Sequence, residues 1–224
     1  MSATEVKANT TTENKPIVKS GSFVQENQKS LLFIAAAIVI MVVGYIAYLK
    51  VYLAPREASA ASQFYVAQDF WAKKEWDKAI KGDAGYPGLE KIITDYSNTK
   101  VANLAYFYLG TAYLNKGEYR KAIDNLNSYR GDDAMVAAEA LGSVGDAYVE
   151  LKDMDKAETY FKKAVDKANN KFLAPLYLKK LGLVYEAKND KKAAAETYKK
   201  IKTEYPDSAE AQNIDAYIGR SEAQ

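Results

Sequence analysis

Acid–base and nucleophilic chemistry most often rests on histidine and cysteine, and this chain contains neither. Disulfides, thiolate nucleophiles and zinc–thiolate sites are therefore excluded, as are imidazole bases and imidazole metal ligands. A cysteine-free chain is safe in either redox compartment, so the absence does not choose one. What remains is carboxylate, amine and phenol chemistry, from 29 acidic side chains, 31 basic ones and 18 tyrosines. Three groupings of these could act. The stretch Lys81–Gly88, KGDAGYPG, could cradle a phosphate, but it lacks a Gly-Lys-Ser/Thr ending and follows no predicted strand; it reads as a hairpin turn. Asp132 and Asp133 fall in a turn, where they read as solvated caps rather than a catalytic pair. Lysine pairs such as Lys162-Lys163 and Lys199-Lys200 alternate with acids and read as solvent-facing helix surface. No catalytic residue, metal ligand or cofactor is assigned, and the net charge of +2 creates no field that demands nucleic acid. An enzyme on this sequence would need Asp, Glu, Lys or Tyr alone, so the chain reads as non-enzymatic.

The elements that would position these groups are repeated. Tyr106 to Leu126 reads YFYLGTAYLNKGEYRKAIDNL, with Leu109-Gly110, then Tyr113, then Ala122. The same skeleton returns as Val144-Gly145, Tyr148, Ala157, Phe161, and again as Leu181-Gly182, Tyr185, Ala194, Tyr198. Such a period is the signature of a helical-hairpin solenoid. A glycine inside a helix costs about 1 kcal/mol relative to alanine. Three at one register position imply a packing reason: a missing side chain that admits a second helix, with Ala122, Ala157 and Ala194 as its matching small residues. Breaker pairs Lys116-Gly117, Lys152-Asp153 and Asn189-Asp190 mark the turns inside each hairpin.

These residues resemble the tetratricopeptide repeat family, whose pattern is W-x2-L-G-x2-Y, then A-x3-F, then P. Leu or Tyr stands at the Trp position, Leu126 at one Phe position, and Pro206 closes only the third copy. The resemblance implies an all-α solenoid with repeats at 103–136, 138–171 and 175–208, and with 209–222 as a capping helix. Residues 56–100 read as a degenerate first hairpin: a helical stretch from about Pro55 to Ile80, the loop 81–88, and a second helix in which Ile92 and Tyr96 align with Ile201 and Tyr205. The family's register places Phe107, Thr111, Asp146, Glu150, Lys179 and Leu183 on a groove formed by the first helices, acidic in its middle and partly apolar at its ends. Members that grip C-terminal carboxylates use Lys and Asn there; Phe107, Thr111, Gly142 and Asp146 do not match.

Ahead of the repeats, residues 1–28 are polar and aperiodic and read as a disordered tail. Leu31 to Leu49, LLFIAAAIVIMVVGYIAYL, then runs 19 residues without a charge, roughly 28 Å as a helix against a hydrocarbon core of about 30 Å. Tyr45, Tyr48 and Tyr52 cluster at one end, as an interfacial belt would. A transmembrane anchor over 30–53 is the preferred reading. A buried core helix and a signal peptide cleaved near Ala58-Ser59-Ala60 are the alternatives. Lys15, Lys19 and Lys29 precede the span and Lys50 and Arg56 follow it, a bias of one charge towards a cytoplasmic N-terminus.

This architecture is similar to the YfgM-like family of bacterial proteins, ancillary subunits of the SecYEG translocon. The resemblance implies one span in the inner membrane, a cytoplasmic N-terminus, periplasmic repeats, and contact with translocon subunits, chaperones or client chains. The alternative function is a repeat-bearing assembly factor for an envelope or secretion complex.

Overall fold

The computed structural model describes residues 24–168 and 170–223. Most of the expected disordered tail therefore lies outside the described residues, as do Lys15 and Lys19 of the charge bias. Residues 24–26, assigned to that tail, are helical. The chain divides into two compact units, one ending at Leu49 and one spanning Lys50–Gln224. The first contains α1 (Gln28–Ala47), a helix with no buried residue that is long and apolar enough to cross a membrane. A π-helical stretch follows at Tyr48–Leu53.

The second unit is built from helical hairpins, and their turns share one geometry. Helix α2 (Ala54–Ala72) and α3 (Trp76–Lys81) are joined through Lys74; α5 (Lys100–Asn115) and α6 (Tyr119–Leu126) through Gly117. Likewise α7 (Ala134–Glu150) and α8 (Met154–Ala168) are joined through Lys152, and α9 (Leu173–Ala187) and α10 (Lys191–Glu204) through Asn189. These four linkers have φ of 61°, 78°, 63° and 59°, the left-handed conformation that ends a helix. The next N–H in each turn donates back to the carbonyl of an aromatic residue: Phe70, Tyr113, Tyr148 and Tyr185, at 2.9, 2.9, 2.9 and 2.8 Å. Five residues after each linker stands a fully buried alanine: Ala79, Ala122, Ala157 and Ala194.

This equivalence revises the first hairpin. Its opening helix does not run to Ile80; it stops at Ala72, and Trp76, Ala79 and Ile80 belong to the second helix. That second helix is interrupted. Gly82–Asp83 (β1) and Tyr86–Pro87 (β2) form a small antiparallel hairpin, Gly82 opposite Pro87 and Asp83 opposite Tyr86. The helix resumes as α4 (Leu89–Asp95). Removing Gly82–Pro87 from the alignment brings Leu89 onto Leu126, Phe161 and Tyr198, and Ile92 onto Ile201, both fully buried. The loop 81–88 is thus an insertion into a helix. Glycine is required at its base, because a Cβ on Gly82 would lie 2.2 Å from the Tyr86 carbonyl oxygen and one on Gly88 2.2 Å from that of Ile80.

The start of α2 is fastened to the helices that follow. Glu57 accepts the N–H groups of Lys100 and Val101 at 2.8 and 2.9 Å, at the N-terminus of α5, where a carboxylate is favoured by the helix dipole. Arg56 donates to the Asp95 carbonyl at the end of α4 and to Asn98 Oδ1 at 3.3 Å. Caps elsewhere follow the sequence. Thr99 receives the Ala102 N–H, Asp133 those of Met135 and Val136, and Ser208 that of Ala211. Each satisfies helix-end donors that would otherwise be orphaned.

The repeat glycines do admit close approach, but their counterpart is large. A Cβ on Gly110 would meet Leu126 Cγ at 2.5 Å, on Gly145 Phe161 Cε1 at 2.6 Å, and on Gly182 Tyr198 Cε1 at 2.2 Å. The matching residue is therefore the bulky one a turn beyond the alanine, held in a notch the glycine leaves. After α10 come a 3₁₀ turn, Ala209–Asn213, and α11 (Ile214–Glu222), so the expected single capping helix is two pieces. Ile218-Gly219 repeats the hydrophobic-glycine pair, yet nothing lies within 4 Å of a Cβ on Gly219. At the positions where the other repeats carry Tyr106, Leu141 and Leu178, α11 has Asp215, paired with Lys202 at 2.7 Å. Where they carry tyrosine it has Glu222, paired with Lys199 at 2.5 Å.

Candidate partner-binding groove

The first helices of neighbouring hairpins lie side by side, and their packing decides which register positions stay open. Between α7 and α9 a groove of about 290 Å³ is lined by Asp146, Val149, Met154, Phe161, Lys180, Leu183, Val184 and Ala187. Phe161 forms its floor, 1% exposed, while Leu183 at the rim is 42% exposed. Lys180 Nζ donates to Asp146 Oδ1 and Oδ2 at 2.8 and 2.7 Å and lies 5.8 and 5.9 Å from the ring centres of Phe161 and Tyr177. Burial pushes the Asp146 carboxyl above the ordinary carboxylate range, outweighing the opposing pull of Lys180. Burial raises Glu139 as well. The arrangement is an apolar slot with one ion pair on its wall.

Of the six residues assigned to the groove from sequence, Asp146 and Leu183 line it. Phe107 and Thr111 do not: both are 6% exposed. Thr111 Oγ1 accepts from Trp71 Nε1 at 3.0 Å and donates to the Tyr108 carbonyl at 3.0 Å. Phe107 packs edge-on to Tyr108, ring centres 5.5 Å apart. The bulky indole from α2 covers Thr111, so neither of these two side chains is open to a partner. Lys179 turns the other way, its ammonium 4.8 Å from the Tyr217 ring centre. One residue is 100° of helix rotation, which brings Lys180 into the groove instead. Glu150 is exposed and accepts from the Tyr119 hydroxyl at 3.2 Å, on the side of the preceding hairpin. Sequence reasoning also missed Gly142. A Cβ there would lie 2.1 Å from Tyr177 Cε1, so this glycine receives the tyrosine of the next repeat; its spacing of three from Gly145 was the available signal.

With this geometry in place, comparison with known proteins defines the class. Residues 107–172 and residues 180–208 each match a tetratricopeptide repeat model, so the chain carries tetratricopeptide repeats, and such repeats imply a protein–protein interaction scaffold. The uncharacterized protein ycf37 of Guillardia theta is 30% identical over 108 residues, covering 46% of this chain and 59% of that protein. The chain thus spans less than two thirds of the length of that curated relative. Two crystal structures of MamA share the fold. One has a TM-score of 0.58 at 22% identity, covering 72% of this chain and 80% of that one. The other has a TM-score of 0.53 at 20% identity, covering 70% and 92%.

Proposed function

We propose that this protein is a membrane-tethered scaffold at the bacterial inner membrane, ancillary to the translocon and to periplasmic chaperones. In this reading the N-terminus is cytoplasmic, and the groove between α7 and α9 holds a segment of a protein partner reversibly. The observation that carries the groove is its composition: an apolar floor with an exposed leucine at the rim and an ion pair already neutralised. Tethering supports it further, because confinement near a membrane partner raises effective concentration and lets a modest affinity suffice. The anchor reading rests on exposure. Leu32, Phe33, Ile40 and Met41 of α1 are 63–79% exposed, and covering each such side chain with an apolar phase is favourable by about 1.5–3 kcal/mol.

The test has two parts. In intact spheroplasts with a tagged N-terminus, external protease should digest residues 56–224 and spare the tag; protection of the repeats would defeat the periplasmic placement. Crosslinking from intact membranes should then recover translocon subunits or chaperones. Recovery of an envelope or secretion complex without Sec contacts would instead make the protein an assembly factor. The segment 56–224 retains the Arg56 and Glu57 contacts and is expected to fold alone and bind extended peptide.

A further inference from the structure

A second cleft lies away from this groove, at the turns that link the last repeats. Asn170 Oδ1 accepts the N–H groups of Phe172 and Leu173, each at 2.9 Å. That turn fixes the backbone and leaves the Phe172 ring 70% exposed. Opposite stands the turn after α10, bearing Tyr205, Pro206, Asp207 and Glu210. The space between the two turns is about 470 Å³, within the range of sites that hold small ligands or single side chains with their neighbours. Its charge is lopsided: Glu204, Asp207 and Glu210 face a single cation, Lys171, in a chain whose net charge is +2. Glu204 is 3.9 Å from Lys200, and among the described residues no salt bridge engages Asp207 or Glu210. The aromatic wall accepts a cation, since Lys171 Nζ sits 5.7 Å from the Phe172 ring centre.

We propose that this cleft docks a basic peptide segment carrying one apolar or aromatic anchor. The anchor would lie between Phe172 and Tyr205–Pro206, with flanking Lys or Arg side chains against Asp207 and Glu210. This site shares no residue with the groove between α7 and α9 and stands or falls separately from it.

The test uses the full-length chain in detergent micelles and fluorescein-labelled Lys-Arg-Phe-Lys-Arg, with Glu-Asp-Phe-Glu-Asp as control. Anisotropy titration should show the basic peptide binding at least about tenfold more tightly than the control, with affinity falling as salt is raised. Phe172→Ala, and Asp207→Asn with Glu210→Gln, should each weaken binding about tenfold while leaving the melting temperature unchanged, as the side chains are at the surface. Asp146→Asn should leave the affinity as it was. Equal binding of both peptides, no binding of the basic one, or full affinity in Phe172→Ala would overturn the assignment. Loss of binding only in Asp146→Asn would move the peptide to the other groove and also overturn it. So would self-association that Phe172→Ala abolishes and the peptide fails to compete, which would give the cleft to a second copy of the chain.

Discussion

Each of the three clear repeats closes on a steric match, Gly110, Gly145 or Gly182 on the first helix against a large side chain on the second. At Gly145 the partner is the fully buried Phe161 ring, whose nearest atom would sit 2.6 Å from an added Cβ, well inside any tolerable carbon–carbon contact. Gly145→Leu is therefore expected to lower unfolding free energy by about 1–3 kcal/mol or more through overpacking, measured by urea denaturation; an unchanged midpoint would mean the register is misplaced. Asp146, the adjacent residue, tests the electrostatics of the groove. Its native pKa is raised by burial, so within the window from the ordinary carboxylate value up to the native one the folded state holds more proton than the unfolded. Stability contributed by this group falls as pH rises through that window. Asp146→Asn should remove the term, making the stability of the variant climb more steeply with pH than that of the parent. Carboxylates held low by lysines, such as Asp153 beside Lys156, contribute with the opposite sign in both proteins and cancel in the comparison.

Among the elements, the interrupted helix α3–α4 is the most informative. Its two parts occupy the place of one continuous second helix, and Ile80, Leu89 and Ile92 on either side of the break are all buried. The hairpin between them contributes an exposed Tyr86 and closes on itself through Gly82 and Gly88. Deleting Gly82–Pro87 should restore an unbroken helix, with melting temperature unchanged or higher and increased helical circular dichroism per residue. Loss of cooperative unfolding in that variant would show that the ribbon is needed to hold α3 and α4 together.

For the repeat unit as a whole, the last helix decides whether the array ends. A solenoid exposes an apolar layer at its terminus unless the final element is altered. Here α11 keeps Ile214 and Ile218 buried against α10 yet carries Asp215 and Glu222 where its counterparts have apolar or tyrosine side chains, each tied back to a lysine of α10. Replacing them with the counterpart residues, Asp215→Leu with Glu222→Tyr, should create a face that accepts another helix. Sedimentation velocity should then report concentration-dependent association stronger than that of the parent protein; the same behaviour in both would show that the acidic pair does not guard this end.

Much of this was legible in the sequence because it is local. Three of the four turn positions, the buried alanines Ala122, Ala157 and Ala194 and the cap at Asp133 follow from residue type and spacing within one hairpin. The alignment of Ile92 with Ile201 agrees with the structure, although the break in the preceding helix was misplaced, since Lys74-Glu75 carries no glycine, asparagine or aspartate to announce a turn. What only the tertiary structure decided is which of the equivalent positions remain open. Thr111, Asp146 and Leu183 stand at the same point of their repeats. The first is capped by the Trp71 indole, the second is paired with Lys180, and the third is left at the rim. Periodicity fixes where a side chain sits on its own helix, whereas the bulk and charge of the neighbouring helix fix what it meets there.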